Sequence, residues 1–308
     1  MKLRNAFTMI ELIFVIVIMG IIGKFGVEFL VRAYDSFILS SVNNTLQSNS
    51  AAAVEFIASR LQNRIKDSVI VRTDASSASY TALASADPTV TYTVLEWISS
   101  DSDGFRGTNT PLWSGILDLD AGILLGNNTL VSPATDTTAI STLINTLSYG
   151  TTTIDNAALY FIGSNNDING FGWDGVALTS QANVMHPIKA VVGEPTQFTS
   201  SIVGQTFAGV DVYEYYKLAW TANALVITYD NATKMGTLDF YYNYQPWNGQ
   251  TFNNATNVKH FPLMEDVSTF QAMAIGSIMK IQVCTKSLIV KGDINDGGYS
   301  LCKEKTIY

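Results

Sequence analysis

The beginning of the chain has the pattern of a membrane-spanning helix. Residues 7–23 are apolar apart from Thr8 and Glu11, and residues 1–6 carry two basic side chains and no acidic one. At about 1.5 Å per residue, a helix over 7–31 is long enough to cross a hydrocarbon core of roughly 30 Å. The basic residues before it favour a cytoplasmic N-terminus. We therefore predict one membrane span over 7–31.

Beyond this span the pattern changes to that of an amphipathic helix. Apolar residues recur at spacings of three and four between Val54 and Val69, with charged and amide residues between them. This periodicity is typical of a helix with one buried face. We predict that the helix continues over 32–72 without interruption. Two helices separated near Asn43 and Asn44 are the alternative.

The rest of the chain, 73–308, shows the pattern of a β-rich globular domain. Gly, Ser, Asn and Asp separate short runs rich in Thr, Val, Ile and Tyr, which is typical of strands and turns. The predicted strands are 89–98, 157–162, 184–192, 210–220, a hairpin of 224–229 and 237–244 around the turn 230–234, and a terminal pair of 280–284 and 288–291. We expect an α+β fold in which the long N-terminal helix packs on an antiparallel sheet, with loop-rich insertions between about 99 and 210.

The composition is that of a folded protein with an acidic surface. Of the 308 residues 47% are apolar and only 14% are charged, and the formal net charge is -8. This apolar content is sufficient for a buried core. An acidic chain without a cluster of Lys and Arg repels phosphate backbones, so we expect no nucleic-acid partner. A surface rich in Ser, Thr and Asn favours the cell envelope.

The two cysteines predict a disulfide near the C-terminus. Cys284 and Cys302 lie close together in the chain, without CxxC spacing and without a neighbouring histidine that would indicate a metal site. In an oxidising compartment, the bond would close a loop of about 18 residues and contribute about 3 kcal/mol. Two buried free thiols in a reduced protein are the alternative.

Three oxygen-rich clusters are candidate calcium sites. They lie at 101–104, 165–170 and 293–298, and the last supplies the strongest set of ligands, Asp293, Asn295 and Asp296. None of the clusters has the twelve-residue spacing that ends in Glu, and the same residues are common in tight turns. Calcium is therefore a weak candidate ligand, and no cofactor is required by the pattern.

The sequence does not indicate an enzyme. His186 and His260 are the two histidines, and neither has a second histidine or a cysteine nearby. The chain contains no G-x-S-x-G, HExxH, CxxC or phosphate-binding glycine loop, so material for a catalytic triad or a zinc site is lacking. We expect both histidines to be structural.

An aromatic band occupies the middle of the β-rich region. It could contact a partner or a glycan, although alternation along strands places about half of such residues in a core. We favour a role in the core and in cross-strand pairs. The members of the band are Tyr213, Tyr215, Tyr216, Trp220, Tyr241, Tyr242, Tyr244 and Trp247.

Glu11 is the unusual residue of the apolar stretch. A carboxylate inside a membrane helix is disfavoured by about 2.5 to 3.5 kcal/mol on insertion scales, and less near the interface. A secretory signal would not carry an acid there and would end in an A-x-A site, whereas Gly23 is followed here by Lys24 and Phe25. In a plain anchor, Glu11 would reach the headgroups instead.

The segment Ala6-Phe7-Thr8-Met9-Ile10-Glu11-Leu12 resembles the leader and processing site of type IV prepilins and type II secretion pseudopilins. The shared features are a short basic leader, a small residue before the cut, Phe, Thr, a Glu four residues after the Phe, and an uninterrupted apolar helix. The resemblance implies that a prepilin peptidase removes the leader 1–6 by cleaving between Ala6 and Phe7 and methylates the new amine of Phe7. Ala6 departs from the glycine that most members carry at this position.

The resemblance also implies a partner for Glu11. In a filament of packed helices, its carboxylate would pair with the terminal amine of Phe7 in a neighbouring subunit. Gly20, Gly23 and Gly26, at three-residue spacing, would allow the backbones to approach closely.

The family provides an expected location and role. The chain would be a single-pass protein of the bacterial inner membrane, with its C-terminal domain in the periplasm, before it enters a pilus or pseudopilus. Its partners would be the prepilin peptidase, other pilin or pseudopilin subunits and the inner-membrane assembly platform. The segment 51–71 loosely resembles the larger J-type pseudopilins and W-type minor pilins, which suggests a minor subunit at the tip or in the initiating complex. The alternative is an adhesin or ligand-binding module that uses the helix for display.

Overall fold

The protein is an α+β protein in which a long helix is joined to antiparallel sheets. The structure, a computed structural model, describes residues 8–126, 128–287 and 300–308. The helices of this part are α1 Met9–Gln62, α2 Ser102–Arg106, α3 Leu119–Leu124 and α4 Thr137–Leu147. The processing residues Ala6 and Phe7, the calcium candidates Asp293, Asn295 and Asp296, and the predicted strand 288–291 lie outside the described residues.

The strands form two antiparallel sheets. In chain order they are β1 Ile70–Arg72, β2 Thr81–Ala82, β3 Val94–Ser99, β4 Thr129–Val131, β5 Ala158–Phe161, β6 Met185–Val191, β7 Glu194–Ser200, β8 Tyr216–Ala219, β9 Thr221–Tyr229, β10 Gly236–Tyr244, β11 Lys259–Ile275, β12 Ile278–Lys286 and β13 Ser300–Ile307. The larger sheet has the order β13-β12-β11-β10-β9-β3-β1-β2. The smaller sheet has the order β4-β7-β6-β5-β8. The α+β expectation is therefore confirmed.

Helix α1 is continuous through the position where a break was the alternative. The Gln47 side chain donates to Asn43 Oδ1 at 3.2 Å, and the Thr45 hydroxyl donates to the Ser41 carbonyl. Both are contacts between residues four apart, so these polar side chains bond along the helix. The helix is one rod from Met9 to Gln62.

The helix ends at Gln62, so the prediction that it extends to residue 72 was wrong. Asn63 closes its last turn, and the Ile65 N–H bonds to the Ile98 carbonyl of β3. The apolar residues beyond this point join the sheet as β1. The apolar pattern of these residues is compatible with a helix and with a strand, and pairing with β3 decides for the strand.

The second half of α1 packs on the larger sheet. Its buried side chains recur at helical spacing, and the first of them is Leu46. From Ala53 onward, the buried side chains share one core with β9, β10, β11 and β12. The buried face consists of Leu46, Ser50, Ala53, Val54, Ile57, Ala58 and Leu61.

A buried arginine fastens the end of α1 to the sheet. The Arg64 guanidinium donates to the Leu61 carbonyl at 2.8 Å and to the Ser277 carbonyl at 2.6 Å. The first bond satisfies a carbonyl at the helix C-terminus, where a positive charge is also favourable. The second bond reaches the turn between β11 and β12, so Arg64 fixes that hairpin relative to the helix.

The region expected to be loop-rich contains four of the five strands of the smaller sheet. Strands β4 to β7 and helices α2 to α4 all fall between residues 99 and 210. A separate core lies beneath them, with Ile140 and Ile144 of α4 packed with Phe161 and Phe198 of the sheet. The predicted strands 157–162, 184–192 and 210–220 overlap β5, β6 and β8, whereas β4 and β7 were missed. Strand β4 has only three residues, and the mostly polar sequence of β7 does not alternate with apolar residues.

The central hairpin was predicted correctly and the terminal pairing was not. Strands β9 and β10 pair from Tyr229↔Gly236 onward, as expected for the hairpin. Strand β12 instead pairs with β11 and β13 among the described residues. Strand β11 was missed because Pro262 and the acidic pair Glu265 and Asp266 interrupt its pattern, and the pairing with β10 is bulged there.

The predicted disulfide is present. Cys284 and Cys302 face each other directly across β12 and β13, with their Cα atoms 4.0 Å apart. We expect the double variant Cys284→Ser, Cys302→Ser to lower the free energy of unfolding by about 3 kcal/mol, because the unfolded chain gains loop entropy. Urea denaturation of the full-length chain in detergent measures this. Reducing the wild type should produce the same loss, and equal stability with and without the bond would contradict the prediction.

Candidate assembly site on the N-terminal helix

The first half of α1 is not covered by any other part of the chain that the structure describes. Its large apolar side chains from Met9 to Leu39 are exposed except Ile38, which is half-buried, and the described residues before Leu46 include no buried one. An 18-residue window of the helix has a mean hydropathy of 2.3 with none of its residues buried. By length and composition, the helix can cross a membrane. The protein therefore presents an apolar rod that needs lipid or other helices around it.

Glu11 lies in the first turn of this rod. Thr8 is the N-cap with an extended backbone, and its N–H and hydroxyl donate to Glu11 Oε2 at 3.4 and 3.3 Å. The positive end of the helix dipole also favours an anion at this place. Oε1 has no hydrogen-bond donor among the described residues. The local structure thus positions the carboxylate at the helix end, and Oε1 remains able to accept a bond from a cation outside this chain.

Three glycines follow along the exposed rod. Apart from the neighbouring residues and the backbone of the helix itself, a Cβ atom added to Gly20, Gly23 or Gly26 would meet no atom within 4 Å. Packing within this chain therefore does not require glycine at these positions. Close approach of another helix is a physical use for small residues there.

Residues 12–23 carry no charged side chain, and a stripe of alternating charges begins at Lys24. Lys24, Glu28 and Arg32 are spaced four residues apart, so they lie along one side of α1. All three are exposed. The long side chains can extend from an apolar layer toward water, so the stripe is suited to the boundary of the span.

The aromatic band belongs mostly to the interior. Tyr216, Trp220, Tyr244 and Trp247 are buried in the cores, in agreement with the interpretation that we favoured. Tyr241 and Tyr242 are half-buried. Tyr213 and Tyr215 are the exposed members of the band.

An exposed row of apolar side chains lies beside these tyrosines and was not predicted from the sequence. Ile116 lies opposite Tyr215 in an isolated bridge, and the Ile162 N–H bonds to the Tyr215 carbonyl from the other side. Residues that face each other across strands point to the same side of a sheet. The three side chains are all exposed and form one apolar row. Only strand pairing could reveal it, because the three residues are far apart in the chain.

Two of the oxygen-rich clusters serve as turns and caps. Asp101 caps α2 through the Gly104 N–H and also accepts a bond from the Trp113 indole. Asp167 accepts a bond from the Asn169 N–H at the start of a short 3-10 helix. Across residues 8–126, 128–287 and 300–308, no three His, Cys, Asp or Glu side chains come together as a metal-binding group.

Both histidines have aromatic neighbours in the structure. His186 is buried in β6, with its ring 4.3 Å from that of Phe161. His260 is exposed and stacks on Tyr241 at 5.0 Å. Burial lowers the pKa of His186 to about 4. His186 is therefore neutral in the folded protein at neutral pH.

His186 should make the stability depend on pH. The unfolded chain binds its proton near pH 6.5 and the folded chain near pH 4, so the free energy of unfolding falls as the pH drops through this interval. Between pH 7 and pH 4.5 the expected loss from this residue is roughly 2 to 3 kcal/mol. Urea denaturation of His186→Leu at both pH values should show a correspondingly smaller loss than the wild type. The control His260→Leu should behave as the wild type, and equal losses in all three proteins would refute the assignment.

Comparison with known proteins adds no relative to this description. No family model, no curated protein and no solved structure matches the chain. The features that point to a function are the residue pattern at the start of the chain and the geometry of α1.

Proposed function

We propose that this protein is a minor subunit of a type IV pilin-like filament, either a type IV pilus or a type II secretion pseudopilus. The observation that carries the proposal is the first half of α1, an apolar rod exposed on all sides with a carboxylate in its first turn. A helix that only anchors a domain gains nothing from Glu11. A helix that packs among identical or similar helices can use it as a pairing group.

The pairing partner proposed for Glu11 is the terminal amine of a neighbouring subunit. Cleavage between Ala6 and Phe7 would create this amine at the start of the same apolar rod. A carboxylate and an ammonium that are buried as a pair attract each other, whereas either group buried without its partner is strongly destabilising. The pair would therefore fix the axial register between adjacent subunits.

The size of the outer domain favours a minor role. In the described part of the chain, α1 is followed by sheets of eight and five strands. One core lies between α1 and the larger sheet, one is shared by residues of both sheets, and one belongs to the smaller sheet. Bulk of this kind disfavours dense repetition along a shaft. We place the subunit at the tip of the filament or in its initiating complex, after storage in the bacterial inner membrane with the outer domain in the periplasm.

Processing at the start of the chain tests the proposal directly. Intact mass measurement of the protein purified from its native membrane should show Phe7 as the first residue, bearing one methyl group. Co-expression with a prepilin peptidase should convert the precursor to this form. Recovery of the native protein with Met1 and the leader 1–6 intact would exclude the proposed function.

The exposed apolar row supports display of a binding module as a second candidate function. Tyr215 is of a residue type that is enriched at protein interfaces, and the exposed Ile116 and Ile162 beside it extend the apolar surface. Glycan and protein arrays probed with the full-length chain in detergent would detect such a ligand. Retained assembly together with ligand binding that is lost in Tyr215→Ala would favour this role.

A further inference from the structure

In the part of the chain that the structure describes, the larger sheet ends at β13, which has no second neighbouring strand. Among the described residues β13 pairs only with β12, over eight consecutive positions without a register shift. The neighbouring pairings of β10 with β9 and with β11, and of β11 with β12, all contain register shifts. A straight edge of this length is a template for another strand.

The other sheet edges in the described part of the chain are short or covered. Strand β2 has two residues. Strand β4 has three, and the Asp118 N–H bonds to the Val131 carbonyl at its margin. Strand β8 is covered by the segment 115–117, where the Tyr216 N–H bonds to the Gly115 carbonyl. Within the described ranges, β13 is therefore the longest sheet edge that no other strand or segment covers.

The disulfide identifies the backbone groups that point outward. Cys284 and Cys302 are opposite each other with a Cα separation of 4.0 Å, which is typical of a non-hydrogen-bonded antiparallel pair. Alternate residues of β13 therefore direct their N–H and C=O groups away from β12. These residues are Ser300, Cys302, Glu304 and Thr306.

The charges that usually guard such an edge are neutralised within the protein. Lys305 pairs with Glu55 of α1, and Glu304 pairs with Lys280 at 2.7 Å. Strand β13 contains no proline. Lys303 is the remaining charge, and it forms no ion pair with a described residue. It lies on the face that carries Lys305 and the buried Ile307, which is the face toward α1.

We propose that β13 binds an extended segment of a different protein, which adds a strand to the larger sheet and carries an acidic residue opposite Lys303. Main-chain hydrogen bonds to the four outward-facing residues would provide affinity, and the acidic residue would provide specificity. A second copy of this chain is a poor occupant. Pairing β13 with itself would place Lys303 and Lys305 of both copies on one face of the sheet. This inference does not depend on the proposed filament role.

Selection from a phage-displayed library of random octapeptides on the full-length chain in detergent micelles tests the inference. We expect alternating sequences with acidic residues on one face. A synthetic peptide of the most enriched sequence should slow amide hydrogen exchange at Cys302, Glu304 and Thr306. In the free chain these amides should exchange faster than those of Lys303 and Lys305, which bond to β12.

Two substitutions separate edge binding from other contacts. Thr306→Pro removes an outward N–H and should weaken peptide binding by about tenfold or more, while the control Thr306→Val should bind normally. Lys303→Glu leaves the backbone N–H groups in place and should change the preferred peptides from acidic to basic. This variant therefore tests the inference even if Thr306→Pro folds poorly. The inference is overturned if peptides bind Thr306→Pro as well as they bind the wild type, or if Lys303→Glu leaves the charge preference unchanged. It is also overturned if the library yields no peptide that binds this edge, or if the outward-facing amides of β13 are already protected from exchange in the free chain.

Discussion

The variant Glu11→Ala should insert into the membrane normally and fail to enter filaments. The substitution removes the only carboxylate of residues 7–23, so insertion becomes easier by up to about 2.5 to 3.5 kcal/mol. Incorporation loses the proposed pair and leaves the amine of an adjacent subunit without a counter-charge, at a cost of about 3 to 5 kcal/mol. Fractionation of cells would measure insertion, and co-purification with other pilin-like subunits would measure assembly.

Glu28→Ala is the matched control for this experiment. Glu28 is an exposed glutamate of the same helix, in the charged stripe rather than in the first turn. Its removal should leave both insertion and co-purification close to those of the wild type. Assembly of Glu11→Ala at the level of the wild type would refute the pairing role, and loss of assembly in both variants would indicate a general charge effect.

The variant Glu96→Ala should lower the free energy of unfolding by about 3 to 5 kcal/mol. Glu96 is fully buried, accepts a bond from Arg72 Nε at 2.6 Å and accepts another from the Tyr244 hydroxyl at 2.8 Å. Removing the carboxylate leaves Arg72 as a buried cation without its counter-charge. The remaining bonds of Arg72 go to the carbonyls of Ser77, Ala78 and Trp173, so the loss should also loosen the segments around them.

Urea denaturation of the full-length chain in detergent would measure this effect. Glu304→Ala is the control, because Glu304 forms an exposed pair with Lys280 and should contribute less than about 1 kcal/mol. The double variant Arg72→Met, Glu96→Leu should lose less than Glu96→Ala, since it leaves no unpaired charge. A loss below 1 kcal/mol in Glu96→Ala would show that this pair contributes little to stability.

Features with a local cause were predicted well from the sequence. The continuous helix, the hairpin of β9 and β10 and the disulfide each depend on residues that are close together in the chain. The core role of Tyr216 and Trp247 also followed from alternation and residue size. In these cases the short-range pattern and the tertiary structure favour the same conformation.

Features with a long-range cause were not predictable in the same way. The end of α1 depends on the Ile65 N–H bonding to Ile98, and the pair of Arg72 with Glu96 joins two strands. The spacing of apolar and polar residues along the chain does not predict contacts between residues that are far apart in the sequence. The open edge of β13 is likewise a property of the whole sheet, because it depends on which strands lack a second neighbour.

The candidate assembly site also has features with a local cause and features with a long-range cause. The apolar rod and Glu11 are properties of consecutive residues, so the sequence alone determined their positions and their helical spacing. Only the tertiary structure decided that the second half of α1 is covered and that the first half is not. The physical reason is that an amphipathic pattern specifies which face can be buried, whereas packing against the larger sheet determines how much of the helix is buried.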